Sequence, residues 1–209
     1  MWMIYGANGY TGELIAREAA RRGMRPILAG RSAERVEPLA RELGLESRVF
    51  PVTQPNLDGV TIVLHCAGPF VRTSGPMVRA CLDAGAAYLD ITGEIEVYET
   101  VLAKHEEAIQ RGALLLPGVG FDVVPTDCLG AMLAQRLPDA TELWLAFSSG
   151  AGLSRGTIKT MIEGAGEGGA IRRDGRIVRV PMLFDVREIP YKSKPRLSMT
   201  IPWGDVSTA

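Results

Sequence analysis

The 209-residue sequence predicts an α/β protein in which a doubly wound parallel sheet over residues 1–138 is followed by a partial α+β second domain over residues 139–209. Three observations lead to this prediction. Strand-like and helix-like patterns alternate as far as Leu137, which is typical of a parallel sheet with helical crossovers. A glycine-rich turn follows the first apolar run, as it does in the first unit of many such sheets. After Pro138 the pattern changes to hairpin and strand signals.

The first predicted unit, residues 3–31, consists of a strand, the glycine-rich turn, a helix and a second strand. Gly6 allows a sharp turn out of the strand, Gly9 leaves room where backbone approaches a pyrophosphate, and Gly12 lets the helix pack closely on the sheet. The helix N-terminus then directs free N–H groups at the phosphates. We therefore predict a Rossmann dinucleotide-binding domain, the alternative being a turn with a structural role only. Its candidate binding residues are Gly6, Ala7, Asn8, Gly9, Tyr10, Thr11 and Gly12.

The end of the second strand indicates which dinucleotide is bound. Sites that prefer NAD usually have Asp or Glu there, whereas this chain has Arg31 followed by Ser32. A guanidinium binds phosphate through two parallel hydrogen bonds, so Arg31 and Ser32 are expected to contact a 2′-phosphate. The sequence therefore favours NADP. The alternative is that Arg31 is a solvated loop residue and that Ser32 only caps the next helix.

The remaining elements of the sheet are predicted from apolar runs and helical spacing. Further strands are expected at residues 48–52, 61–66, 88–91 and 113–116. The run at residues 61–66 is almost wholly apolar, as in a strand buried on both faces. The helix after the glycine turn should bury a stripe that includes Leu14 and Ala19. Ser74 is expected to cap a later helix, and one continuous helix is expected from residue 95 to residue 111.

The region after residue 138 has the pattern of an α+β domain. It is expected to contain strands at residues 142–147 and 197–201, a helix at residues 154–162, a glycine-rich loop at residues 164–169 and a hairpin turn at Asp174 and Gly175. The pattern has no closing helix, so an open sheet edge and exposed apolar side chains are expected, among them Leu143, Leu145, Phe147 and Met199. We therefore expect activity to need residues beyond Ala209 or a second copy of the chain.

Composition excludes several kinds of partner. The chain has 23 basic and 24 acidic residues and a net charge of -1, which favours neither nucleic acid nor an anionic membrane as a partner. Its three cysteines form no CxxC pair, which predicts reduced thiols in a cytoplasmic protein. No apolar run approaches the ~18 residues of a membrane span, and no signal peptide is expected. No cluster of metal ligands is present in the sequence, and a small-molecule substrate is expected.

Candidate catalytic residues lie on loops that follow strands, because ligands of open parallel sheets bind beyond the carboxyl ends of the strands. Asp90, Thr92 and Glu94 follow one strand and could orient a substrate, although capping of the next helix explains Thr92 and Glu94 equally well. Residues 118–122 follow the next strand and should line the same crevice.

The histidines and cysteines give no firm catalytic assignment. His65 falls in a buried strand and is expected to be a core residue, and His105 falls within a helix and is expected to be structural. Cys128 follows Asp127 near a helix start, where a thiol can become reactive, but buried packing is the expectation. No tyrosine is followed by lysine four residues later, which disfavours the short-chain reductase mechanism. The catalytic residues therefore stay unassigned.

Four segments together resemble the saccharopine dehydrogenase-like oxidoreductases, a group that includes bacterial trans-acting enoyl reductases. They read YGANGYTG, AGRS, HCAGPF with GPMVRACLDAGAAYLDITGE, and LLPGVGFDVVPTD, and the resemblance is strong as far as Leu137. It implies an NADP-binding domain, with cofactor contacts from residues 6–12 and from Arg31 and Ser32. It also implies a carboxy-terminal domain for substrate binding and for homodimerisation. The nicotinamide-side loop that it implies consists of Ala67, Gly68, Pro69 and Phe70, although Gly68 and Pro69 are equally explained as a simple turn that ends the strand.

The sequence as a whole favours an NADP-dependent oxidoreductase that transfers hydride between NADPH and a C=N, C=C or C=O group. Two alternatives stay open. The first is a module that senses NADP without turnover, since no acid or base stands out. The second is a semialdehyde dehydrogenase in which Cys128 is the nucleophile.

Overall fold

The computed structural model describes residues 1–148, 166 and 168–209. A six-stranded sheet forms its centre, in the order β3-β2-β1-β4-β5-β6, and every pairing in it is parallel. The strands are β1 (Trp2–Tyr5), β2 (Ile27–Gly30), β3 (Ser47–Val49), β4 (Ile62–His65), β5 (Ala87–Asp90) and β6 (Leu115–Leu116). The strand order reverses between β1 and β4, which confirms the predicted doubly wound architecture.

Helices cover the sheet in two layers. One layer contains α1 (Tyr10–Arg21) and α2 (Ala33–Leu43), and the other contains α3 (Phe70–Ala84), α4 (Ile95–Leu102) and α5 (His105–Arg111). Successive residues of a strand point to opposite faces, so Ile4 packs with the first layer whereas Met3 and Tyr5 pack with the second. Both layers therefore anchor β1, whose carboxyl end leads into the glycine turn.

Apart from shifted strand ends, three details of the sheet and its helices differ from the prediction. Leu14 is half exposed, and the small residues Gly12 and Ala16 face the sheet with Ala19, which lets α1 approach β1 closely. Ile62 is exposed, although its strand, β4, was expected to be buried on both faces. The helices α1 and α2 pack over β1, β2 and β3 and leave Ile62 uncovered. The helix expected at residues 95–111 is interrupted at residues 103–104, so that α4 and α5 each direct a buried side to the sheet.

The carboxy-terminal part begins with α6 (Val124–Arg136) and continues with two antiparallel hairpins. The first hairpin pairs β7 (Gly169–Arg173) with β8 (Arg176–Val180), and the second pairs β9 (Val186–Pro190) with β10 (Pro195–Met199). The predicted hairpin turn is confirmed, since Asp174 and Gly175 both have positive φ, 51° and 73°.

Other predictions for this region are confirmed only in part. No strand forms at residues 142–147, whereas the strand predicted at 197–201 occurs as β10, shifted toward the N-terminus. A short helix, α7 (Asp205–Thr208), follows and packs against α4, α6 and β7, which the sequence did not indicate. Leu143, Phe147 and Met199 are exposed as expected, while Leu145 is half-buried. The helix predicted at residues 154–162 lies outside the described residues, and the domain boundary at residue 138 stays a prediction.

Among the described residues, no helix combines the length and the apolar character needed to cross a lipid bilayer.

Candidate functional site

The strand order places the candidate binding crevice between the carboxyl ends of β1 and β4. In open α/β sheets a ligand binds at the point where the strand order reverses, outside the carboxyl ends of the strands. The glycine turn follows β1 and the loop of residues 66–69 follows β4, so these two segments form the walls of the crevice. The end of β2 and the loops after β5 and β6 lie along the same edge of the sheet.

The glycine turn has the geometry that the sequence predicts. Gly6 has a φ of 84°, and the N–H groups of Gly6 and Ala7 both donate to the carbonyl of Ala29, at 2.8 and 3.1 Å. A Cβ on Gly12 would overlap the carbonyl oxygen of Gly6, so α1 could not start so close to the turn with a larger residue. A Cβ on Gly9 would meet only the Gly6 oxygen within 4 Å, at 3.2 Å. The space above Gly9 is therefore open on the ligand side.

No side chain caps the N-terminus of α1, where Gly9 is the N-cap residue. The first backbone bond of the helix is donated by Glu13 to the carbonyl of Gly9, and Tyr10 at the helix start is exposed. The preceding N–H groups thus need acceptors from outside the helix, and the positive end of the helix dipole favours an anion there. This arrangement fits a pyrophosphate whose oxygens accept hydrogen bonds from backbone N–H groups.

Arg31 and Ser32 follow β2 at the same edge of the sheet. Arg31 is exposed and makes no hydrogen bond or ion pair within the part of the chain that the structure describes. Ser32 is the N-cap residue of α2, but its hydroxyl makes no capping bond, so capping does not explain its presence. Burial raises the pKa of Tyr5, and the positive charge of Arg31 partly opposes that rise. Both groups are therefore available to a phosphate at this corner of the crevice.

The loop after β4 lies directly against the glycine turn. A Cβ on Gly6 would lie 2.8 Å from the backbone nitrogen of Ala67, so the two segments are in contact through backbone. Gly68 is exposed at the tip of the loop, and Pro69 is the N-cap residue of α3. Ala67, Gly68, Pro69 and Phe70 thus stand beside the candidate pyrophosphate site, on the β4 side.

Glu94 caps α3, which corrects the prediction that Ser74 does so. Its carboxylate accepts hydrogen bonds from the N–H groups of Phe70 and Val71, at 2.9 and 2.7 Å. Ser74 is buried inside the helix, because the N-cap of α3 is Pro69, five residues before the cap that the sequence pattern suggests. From the sequence, Glu94 was expected either to orient a substrate or to cap its own helix. In the structure its carboxylate instead accepts hydrogen bonds from the start of α3.

Asp90 and Thr92 are buried and bonded within the protein. The Asp90 carboxylate accepts hydrogen bonds from the Tyr88 hydroxyl at 2.6 Å, from the Thr92 N–H at 2.9 Å and from the Gly118 N–H at 2.8 Å. Burial raises the pKa of Asp90, and these three bonds oppose the rise. The Thr92 hydroxyl accepts a hydrogen bond at 3.1 Å from the N–H of Glu94, the residue that precedes α4. Asp90 therefore joins β5 to the loop after β6, and the side chains of both residues are buried rather than open to a substrate.

Asp122 lies in the loop of residues 118–122, which the sequence places at the crevice without assigning an acid or base there. It follows β6, and its carboxylate lies so close over Gly93 that any Cβ there would overlap it. Burial, together with the negative charges of Asp205 and Glu94, raises the pKa of Asp122 to about 7. A carboxyl that titrates near neutral pH can donate or accept a proton, which an ordinary aspartate cannot do efficiently. The Gly-Phe-Asp sequence after the sixth strand was the only available signal.

The carboxy-terminal segment keeps Asp122 partly buried. The indole Nε1 of Trp203 donates to the backbone carbonyl of Asp122. Helix α7 is held by hydrogen bonds from Thr126 to Asp205 and from Thr208 to Asp127, the latter at 2.7 Å. The raised pKa of Asp122 therefore depends on contacts between residues that are about 80 positions apart in the chain.

The histidines and Cys128 offer no second acid or base at the crevice. His65 is fully buried, and burial lowers its pKa to about 3, as expected for a core residue. His105 is exposed at the start of α5. Cys128 is exposed on α6, which corrects the expectation of buried packing, and neither histidine hydrogen-bonds to it. No group of three or more possible metal ligands occurs among the residues that the structure describes.

Comparisons with known proteins agree with this geometry. Residues 2–116, more than half of the chain, match the family model of the saccharopine dehydrogenase NADP binding domain. The chain is 33% identical over 203 residues to a saccharopine dehydrogenase-like oxidoreductase of Homo sapiens, covering 82% of this chain and 47% of that protein. It is 35% identical over 138 residues to a trans-acting enoyl reductase of Mycobacterium bovis, covering 60% of this chain and 33% of that protein.

A solved structure shows the same fold. The apo saccharopine dehydrogenase (L-Glu forming) of Saccharomyces cerevisiae superimposes with a TM-score of 0.62 at 12% identity, covering 96% of this chain and 49% of that one. The chain thus spans less than half the length of the curated relatives that it matches.

Proposed function

Because the chain belongs to the saccharopine dehydrogenase family through its NADP-binding domain, we propose that it acts in an NADP-dependent oxidoreductase. The reaction proposed is hydride transfer between NADPH and a C=N, C=C or C=O group of a small-molecule substrate. One observation carries the proposal. The uncapped start of α1, the loop after β4 and Arg31, which has no partner among the described residues, lie at the carboxyl ends of β1, β4 and β2, and Asp122 follows β6 at the same edge of the sheet.

The residues of the crevice fit an NADP molecule from one end to the other. The backbone N–H groups at the start of α1 would bind the pyrophosphate, and Gly9 would allow its close approach. Arg31 and Ser32 would hold the 2′-phosphate, where a guanidinium gives charge-assisted hydrogen bonds. Ala67, Gly68, Pro69 and Phe70 would lie beside the nicotinamide half. When bound, the cofactor supplies the hydride, and the protein supplies orientation and the exclusion of water.

Asp122 is proposed as the group that exchanges a proton with the substrate. Reduction of a C=N, C=C or C=O group needs a proton at the atom that does not receive the hydride. With a pKa of about 7, the Asp122 carboxyl is protonated in a large fraction of molecules at neutral pH. The loop of Gly93 and Glu94 connects it to the crevice, since Gly93 packs under its carboxylate and Glu94 caps α3.

A screen for NADPH oxidation over enoyl, imine and aldehyde compounds tests this proposal, with Asp122→Asn as the comparison. We expect turnover with one of these classes, and a loss of turnover in Asp122→Asn that leaves NADPH affinity unchanged. NADPH binding without turnover of any class would favour the sensing module instead. Turnover that persists in Asp122→Asn and disappears on alkylation of Cys128 would favour the semialdehyde dehydrogenase.

Homodimerisation and a cytoplasmic location are further parts of the proposal. Large apolar side chains of the second hairpin are exposed, with Leu197 at 75% and Met199 at 57%, and a second copy of the chain would cover such a surface. The cysteines Cys66, Cys81 and Cys128 are free thiols, as in proteins of a reducing compartment. Sedimentation equilibrium on the protein tests the dimer, which a purely monomeric distribution would contradict.

A further inference from the structure

The side chains of His65 and Thr73 form a chain of hydrogen bonds that ends on the loop after β4. The Nε2 atom of His65 lies 3.0 Å from the hydroxyl oxygen of Thr73. That hydroxyl lies 2.7 Å from the carbonyl oxygen of Ala67 and 3.1 Å from that of Pro69. A single threonine side chain therefore joins the end of β4 to both sides of the exposed Gly68.

The direction of each hydrogen bond follows from proton counting. A hydroxyl carries one proton, and both carbonyl oxygens can only accept, so Thr73 donates to the loop. The Thr73 oxygen must then accept from His65, which fixes the proton of the imidazole on Nε2. Within the described part of the chain the other nitrogen, Nδ1, is buried and has no partner, which agrees with a lone pair and no proton at that atom. His65 thus acts as a donor to Thr73, a role that an apolar core residue could not fill.

Three aromatic rings pack around the imidazole in this orientation. Its ring lies 5.5 Å from the ring of Tyr5, 5.4 Å from that of Phe70 in an edge-to-face contact and 6.1 Å from that of Tyr88. Aromatic contacts at these spacings are favourable and restrict ring rotation. From its other side the same loop is fixed by the Glu94 carboxylate, which bonds the N–H groups of Phe70 and Val71.

We propose that His65 and Thr73 are positioning residues for the nicotinamide half of the dinucleotide. The two residues hold the carbonyls of Ala67 and Pro69 so that the loop keeps its contact with the glycine turn. This inference rests on the proposed function, which places the nicotinamide beside that loop. The candidate contacts of the adenosine half, Arg31 and Ser32, follow β2, and β1 lies between that strand and β4.

Two ligands separate this role from a general loss of structure. NADP⁺ carries the nicotinamide half, whereas 2′,5′-ADP has the adenosine and the 2′-phosphate but no nicotinamide. Thr73→Val removes the hydroxyl and keeps the side-chain shape, and we expect it to weaken NADP⁺ binding about 5- to 10-fold, the scale of one lost hydrogen bond. Binding of 2′,5′-ADP should stay unchanged. Thr73→Ser keeps the hydroxyl and should restore NADP⁺ affinity to within about twofold of the original.

Variants of His65 provide the second arm of the experiment. His65→Gln keeps an N–H donor that can reach Thr73, and His65→Leu removes it, so the Leu variant should show the larger selective loss of NADP⁺ affinity. Thermal denaturation of each variant establishes that it is folded. Equal losses for NADP⁺ and 2′,5′-ADP, or no loss for either ligand in Thr73→Val, would overturn the inference. An unmutated protein that binds neither ligand would instead contradict the proposed function.

Discussion

Replacing Asp122 by Asn should make the protein more stable at alkaline pH and leave its stability at acid pH nearly unchanged. Folding raises the pKa of this carboxyl from 3.8 to about 7, chiefly by burial. In the folded protein the neutral acid is therefore favoured. Below about pH 4 the carboxyl is protonated in both states, and stability is at its full value. As pH rises toward 7, the unfolded chain ionises first and the protein loses stability.

The size of the effect follows from that pKa change. A difference of about 3 pKa units at about 1.4 kcal/mol each corresponds to a loss of about 4 kcal/mol between acid and alkaline pH. Because some water still reaches the carboxyl and screens its charge, we expect about half of this, ~2 kcal/mol. Asn is neutral at every pH and nearly isosteric, so Asp122→Asn escapes the loss.

Urea denaturation followed by tryptophan fluorescence at about pH 4, 6 and 8 measures this difference, since the free energy of unfolding varies linearly with urea concentration. The stability of Asp122→Asn relative to the unmutated protein should rise by ~2 kcal/mol across the series. Asp139→Asn, at an exposed carboxyl, is the matched control and should show no such rise. A difference that does not change with pH would refute the account of a protonated, buried Asp122.

Three further outcomes are expected. Gly93→Ala should reduce turnover and shift the pH dependence of turnover, because a Cβ there would displace the carboxylate of Asp122. Gly75→Ala is the control, since its Cβ would meet nothing within 4 Å. In a melt followed by circular dichroism, this control should be neutral or slightly stabilising. Gly9→Val should abolish NADPH binding in a fluorescence titration, because its side chain would fill the space that the pyrophosphate needs. The far-ultraviolet dichroism spectrum should stay unchanged, because Gly9 has an extended backbone, at φ -80°, that any residue adopts. Retained binding would mean that the phosphates lie elsewhere. Cys128 should react readily with a thiol reagent and its alkylation should leave turnover unchanged, as measured by mass spectrometry and an NADPH-oxidation assay.

The parts of the fold that short-range patterns determine could be predicted from the sequence. The glycine spacing fixed the turn after β1, because Gly6 needs positive φ and Gly12 needs contact with the turn. The turn at Asp174 and Gly175 could also be predicted from the sequence, since such hairpins require positive φ at both positions. The resemblance to a known family, stated from four segments, is confirmed by the family model that matches residues 2–116.

The features that the sequence did not reveal depend on contacts between distant residues. Glu94 caps α3 from 24 positions away, so Ser74, with a pattern typical of a local cap, was the wrong choice. The raised pKa of Asp122 depends on Asp205 and on burial under the carboxy-terminal segment, which no local pattern encodes. The hydroxyl of Thr73 is significant only because α3 begins at Phe70 and brings it below the loop.

Titration of the protein with NADPH and with NADH, followed by nicotinamide fluorescence, tests the central claim most directly. We predict a clear preference for NADPH and a loss of that preference in Arg31→Ala, with NADPH affinity reduced about 10- to 100-fold and NADH affinity unchanged, the scale of a lost charge-assisted bond to one phosphate. Arg41→Ala, at an exposed arginine near the other end of α2, should change neither affinity. Equal affinities for NADPH and NADH in the unmutated protein, or an Arg31→Ala variant that still prefers NADPH, would contradict the account.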